Sequence, residues 1–125
     1  MKIFILLFII ILIISFLYIY SYNIIVTTTD KMDEQIRIIE KKIVNDNYNI
    51  IEHFDYFESI WTKSKSKWAL LIDHQEIDNI EQSINKIKRI IGLKDKVELL
   101  GEIGILKFYI DHIKRQNTLT YENIF

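Results

Sequence analysis

The run from Ile3 to Tyr20 reads IFILLFIIILIISFLYIY, eighteen residues whose only polar groups are Ser15 and the tyrosine hydroxyls. Water is absent from hydrocarbon, so a backbone placed there must satisfy its own hydrogen bonds, and a helix needs about 20 apolar residues to cross a core about 30 Å thick. With the residues that follow, to about Val26, the run predicts one N-terminal transmembrane helix. A cleaved signal peptide would follow a shorter apolar core with a small-residue site, whereas bulky Tyr18, Tyr20 and Tyr22 stand here. Those tyrosines suit the headgroup layer, which predicts that the helix leaves the bilayer near residues 20 to 26.

Working outward, Lys2 is the only charged side chain before Asp30, and the trailing flank holds Asp30, Lys31, Asp33 and Glu34 before Arg37. The positive-inside rule then predicts a single-pass protein of the cell membrane, with its N-terminus cytoplasmic and the rest of the chain extracytoplasmic. Residues 1–28 read as the signal-anchor and 29–125 as one helical domain, a length suited to a single core. Cysteine and proline are absent, and the three glycines are Gly92, Gly101 and Gly104. No disulfide, thiolate metal site or cysteine nucleophile is possible, and long helices are favoured over strands and turns. Isoleucine supplies 29 residues against one alanine, Ala69, so spacing has to decide what propensity cannot. The formal charge of −1 gives no electrostatic reason to expect nucleic acid.

Thr29 or Asp30 is expected to cap a first soluble helix bearing Met32, Ile36, Ile39 and Ile43. Asn45-Asp46-Asn47 should end it and cap a second, with Tyr48, Ile51, Phe54 or Tyr56, Phe57, Ile60 and Trp61 on an aromatic face that frays into Ser64-Lys65-Ser66-Lys67. Asp73 and Glu76 resemble a capping box opening a third helix along Ile77, Ile80, Ile84, Ile87 and Ile91, with Gly92 as its left-handed cap. A fourth, from about Asp95 to Arg115, carries Leu99, Ile103, Leu106, Ile110 and Ile113. Short connections between long helices predict an all-α fold: the transmembrane helix followed by an antiparallel four-helix bundle of two αα-hairpins, running up, down, up and down. That path returns Trp68, Asp73, His74, His112 and the C-terminal residues to the membrane-facing end.

The block Trp68-Ala69-Leu70-Leu71-Ile72-Asp73-His74-Gln75-Glu76-Ile77-Asp78, with Leu106-Lys107-Phe108, His112-Ile113 and Glu122-Asn123-Ile124-Phe125, resembles a family of short bacterial proteins catalogued as domain of unknown function 4363. The resemblance runs over nearly the whole chain, anchor included, and the tryptophan-to-IDH block is its most specific element. It implies company more than chemistry: a multi-pass membrane protein as partner. Gly101 and Gly104 depart from the family's more continuous helix, which puts the straightness of the fourth helix in question.

Each histidine follows an isoleucine and an acid, and His74 and His112 lie 19 residues either side of Leu93, so a hairpin turning there levels them. With Asp73, Asp78 and Asp111 they form a conceivable metal or ligand site; the plainer reading is a packed or capping histidine beside helix-start acids. Lys63-Ser64-Lys65-Ser66-Lys67-Trp68 reads as a solvated loop, or as a contact with anionic headgroups. Gly101 and Gly104 suggest close helix packing. No phosphate loop or nucleophile elbow is present, so no enzyme activity and no cofactor are expected. The leading reading is an interaction or scaffold subunit docked on a membrane partner, with Trp68, His74, Tyr121, Ile124 and Phe125 as contact candidates; the alternative is a sensor binding a ligand or metal through the His/Asp cluster.

Overall fold

In the structure, a computed structural model that describes residues 1–124, with side chains through Asn117, the apolar N-terminal run and the first bundle helix are one element. Helix α1 runs unbroken over Lys2–Val44, about 65 Å at 1.5 Å per residue. It is followed by α2 (Ile51–Trp68), α3 (His74–Ile90), a 3-10 turn (Ile91–Leu93) and α4 (Lys96–Ile124). No cap interrupts α1 at Thr29 or Asp30. The Ser21 hydroxyl donates to the Leu17 carbonyl at 2.8 Å and the Thr29 hydroxyl to the Val26 carbonyl at 3.0 Å. Hydroxyls that could cap a new helix bond backward along the existing one, because a formed helix propagates more easily than a second one nucleates.

The two ends of α1 have different surroundings. From Ile25 onward it buries Ile25, Thr29, Met32, Ile36, Ile39 and Ile43 at alternating spacings of four and three, with Asp33 alongside. From Ile3 to Leu17 the large apolar residues are exposed on every face, from 41% at Ile10 to 73% at Phe4, and Tyr18, Tyr22 and Ile24 are half-buried between the two stretches. This helix is long and apolar enough to cross a membrane, and none of its most apolar 18 residues is buried.

Helix α1 ends at a left-handed Asp46 (φ 59°), and the Asn47 side chain accepts from the Asn49 backbone NH at 3.0 Å. Helix α2 then buries Phe54, Phe57, Trp61 and Trp68, while Ile51 and Tyr56 face outward. Its expected fraying does not occur. Lys63 to Lys67 stay helical because Trp68, fully buried, seats the last turn. At the start of α3 the Asp73 carboxylate accepts from the Gln75 NH at 3.0 Å, so the cap forms without the reciprocal half of a capping box. The left-handed residue after α3 is Lys94 (φ 56°), not Gly92, which lies in the 3-10 turn.

The stripes of α3 and α4 are buried as expected, except that Ile90 and Ser83 complete the α3 stripe and Ile91 is half-buried. Helix α4 continues as a single helix to Ile124, well past Arg115. Gly101 and Gly104 do not serve close packing, since a Cβ on either would meet nothing within 4 Å. The chain is an antiparallel bundle in which α1 packs on α2 and α4, and α3 packs on α4. Cross-helix pairs fix the directions: Lys114–Asp30 at 2.5 Å and Lys107–Glu40 at 3.6 Å between α4 and α1, and Lys86–Glu102 at 2.7 Å between α3 and α4. Helices α2 and α3 approach less closely than these helix pairs and are bridged by side chains, among them Lys88–Glu58 at 2.9 Å.

Candidate functional site

The up-and-down path returns the α2–α3 connection to the side of α1, as the sequence predicts. Leu70, Leu71 and Asn117 share an open groove with Ile14, Leu17, Tyr18, Ser21, Tyr22 and Ile25. On the next face of α1, Ser64 and Lys67 share a second groove with Tyr20, Asn23, Ile24, Thr27 and Thr28. Leu70 is 88% exposed although it follows the fully buried Trp68 by only two residues.

Trp68 therefore presents no surface; it is packed edge-on to Trp61 at 5.4 Å and supports the connection from inside. The Trp61 indole NH donates to Glu81 at 2.6 Å, and Lys65 reaches the same carboxylate oxygen at 2.8 Å. The Lys65 hydrogen bond is the main force holding the Glu81 carboxyl below its usual range; partial burial opposes it and the indole NH assists. This pair ties the end of α2 to α3, so the position of Leu70 is set by a tertiary contact.

The histidines are not assembled into a site. His112 meets Glu76 at 3.2 Å and stacks on Phe108 at 6.2 Å, while His74 is exposed and off the α3 stripe. As the first residue of α3, His74 projects back beyond the last core layer, which is why spacing alone misplaced it. Asp73 is occupied as the cap, Asp78 is exposed and Asp111 half-buried. Among the described residues no group of three His, Asp or Glu side chains stands close enough to hold a metal. Tyr121, Ile124 and Phe125 lie outside the residues whose side chains are described.

A second surface went unread in the sequence. At 100° per residue, Val97, Gly101, Gly104, Ile105 and Phe108 fall on the face of α4 opposite its buried stripe. Val97 is 83% exposed, Phe108 58% and Ile105 44%. With apolar residues on opposed faces, α4 shows little amphipathic signal, which hid this outer stripe behind the inner one.

The family model catalogued as domain of unknown function (DUF4363) matches residues 19–124. The match begins at Ile19, so most of the apolar run lies outside it, a narrower extent than the resemblance suggested. No curated protein and no solved structure matches.

Proposed function

The chain belongs to the DUF4363 family, and from its architecture we propose that it is a membrane-anchored, non-enzymatic interaction subunit. One observation carries this reading: α1 is apolar on every face and buries no residue over its first 18 or so, then becomes a one-sided bundle helix without a break. A helix apolar all round has no stable place in water unless something covers it, and the bilayer is the covering that matches its length. The Lys2 flank sits in the cytoplasm and the bundle outside, following the charge asymmetry of the two flanks.

The bundle docks on a membrane protein, expected to be multi-pass, through the outer stripe of α4. Exposed Val97, Ile105 and Phe108 beside two glycines give a flat apolar strip on a helix, the form that packs on another helix. A sensor using His74 and His112 has less support, because the two are not gathered with the acids. Purifying the full chain in mild detergent and identifying co-purifying proteins tests the proposal. A stoichiometric membrane partner that is lost in Phe108→Glu, with the bundle still folded, is the expected result. Recovery of the chain alone contradicts it.

A further inference from the structure

The membrane reading fixes a scale along α1. If Lys2 lies at one headgroup layer, about 20 residues of helix cross a 30 Å core and the far boundary falls near Tyr22. Leu17 is then roughly 7 Å and Ile14 roughly 12 Å inside that boundary. Yet both share a groove with Leu70 and Leu71, which belong to the bundle. The same groove is lined by Tyr18, Ser21, Tyr22 and Ile25, so the connection between α2 and α3 lies at the level at which α1 leaves the lipid.

We propose that this connection is a second membrane contact, in which Leu70 and Leu71 enter the acyl boundary of the leaflet through which α1 emerges. From that level, exposed leucine side chains can reach the zone that surface-bound apolar side chains occupy, about 5 to 10 Å into the boundary. The charges around it agree with such a position. Lys67 is exposed, shares its groove with Tyr20 of α1, and makes no ion pair among the described residues, so its ammonium is available to a lipid phosphate. Lys63, one turn back on α2, is exposed as well. Asp73, also exposed, follows the connection and limits how far it can sink, since a carboxylate stays at the aqueous side. Two attachments, α1 and the leucine pair, hold the molecule at one tilt and rotation in the membrane, where α1 alone would leave the whole unit free to tilt and turn.

The inference rests on α1 spanning the bilayer, and the test separates the two. The natural chain has no cysteine, so single variants Ile10→Cys, Leu70→Cys and Val97→Cys each place one environment-sensitive fluorophore. The full chain is reconstituted in phosphatidylcholine–phosphatidylglycerol vesicles carrying lipid-attached quenchers at shallow or deep positions. Expected are loss of emission at residue 10 chiefly with the deep quencher, loss at residue 70 chiefly with the shallow one, and no loss at residue 97. Quenching at residue 10 with residue 70 behaving like residue 97 overturns the inference and leaves the anchor standing. No quenching at residue 10 overturns the anchor itself. A residue 70 label that is blue-shifted yet shielded from both quenchers assigns the surface to a second copy of the chain, and also overturns the inference.

Discussion

Isoleucine recurs in both halves of α1, yet the two halves are stable for different reasons. The large apolar side chains of residues 3–17 are exposed on every face; residues 25–44 are apolar on one face and pack on α2 and α4. What separates them is the presence and the phase of charged residues, of which Lys2 is the only one before Asp30. Where Asp30, Lys31, Glu34, Arg37 and Lys41 recur on one side, the opposite side becomes a core. Where no such residues exist, no face is set apart for a core and none suits water.

Substitution of matched isoleucines gives the largest expected contrast. Ile36→Ala opens a cavity in the core and should destabilise the bundle by about 2 to 5 kcal/mol, read from urea unfolding of the full chain in detergent micelles. Ile11→Ala, on the uncovered half, should leave that unfolding curve where it is. Equal losses at both positions would mean that the N-terminal half is covered by protein.

A smaller effect is expected at Glu81, which joins α2 to α3. Glu81→Gln removes the carboxylate shared by Trp61 and Lys65 and should cost about 1 kcal/mol at neutral pH, a fall of roughly 4 to 8 °C in Tm. Because its folded pKa lies below the ordinary 4.5, Glu81 contributes stability above that value and loses it as pH falls through the folded pKa. The variant's melting temperature should therefore depend less on pH on the acid side than the natural chain's, as a thermal series from pH 7 to pH 3 will show.

Gly104→Ala separates folding from binding. Its added methyl meets nothing, so helix propensity should raise stability by up to about 1 kcal/mol. If the outer face of α4 carries the partner, the same methyl should weaken partner recovery; gain without weakening moves the docking surface elsewhere. The least effect is expected from Asp30→Asn, which breaks the exposed pair with Lys114: a few tenths of a kcal/mol up to about 1, diminishing with added salt. That pair holds the Lys114 ammonium above its usual range, so its contribution is present below the ordinary 10.5 and fades as pH rises through the folded value.

Spacing made the stripes of α1, α3 and α4 legible, because a four-three alternation can be buried in only one way. Features set by contacts between distant residues were not. Thr29 belongs to the residue types that start helices, and only its neighbours in the bundle show that it sits inside one. Lys63 to Lys67 read as a loop because the reason they stay helical, the seat of Trp68, is tertiary. The candidate histidine site failed similarly: the hairpin does level the ends of α3 and α4, but pairs His112 with Glu76 and leaves His74 outside the last layer. Leu70 and Leu71 stood in plain view inside a short apolar run, and what gives them meaning is the side of α1 to which the fold returns them.

The contrast between the halves of α1 is tested most directly by a cysteine scan along that helix, one position at a time, in membrane vesicles of the full chain exposed to an impermeant thiol reagent. Over residues 25–44 the labelling should rise and fall with the helical period, with Ile25, Met32, Ile36, Ile39 and Ile43 protected and Lys31, Glu34, Arg37 and Lys41 labelled. Over residues 3–20 every position should be protected, with no period at all. A periodic pattern continuing through residues 3–20 would contradict the account, because it would show one face of that half in water and the helix lying against protein instead of crossing lipid.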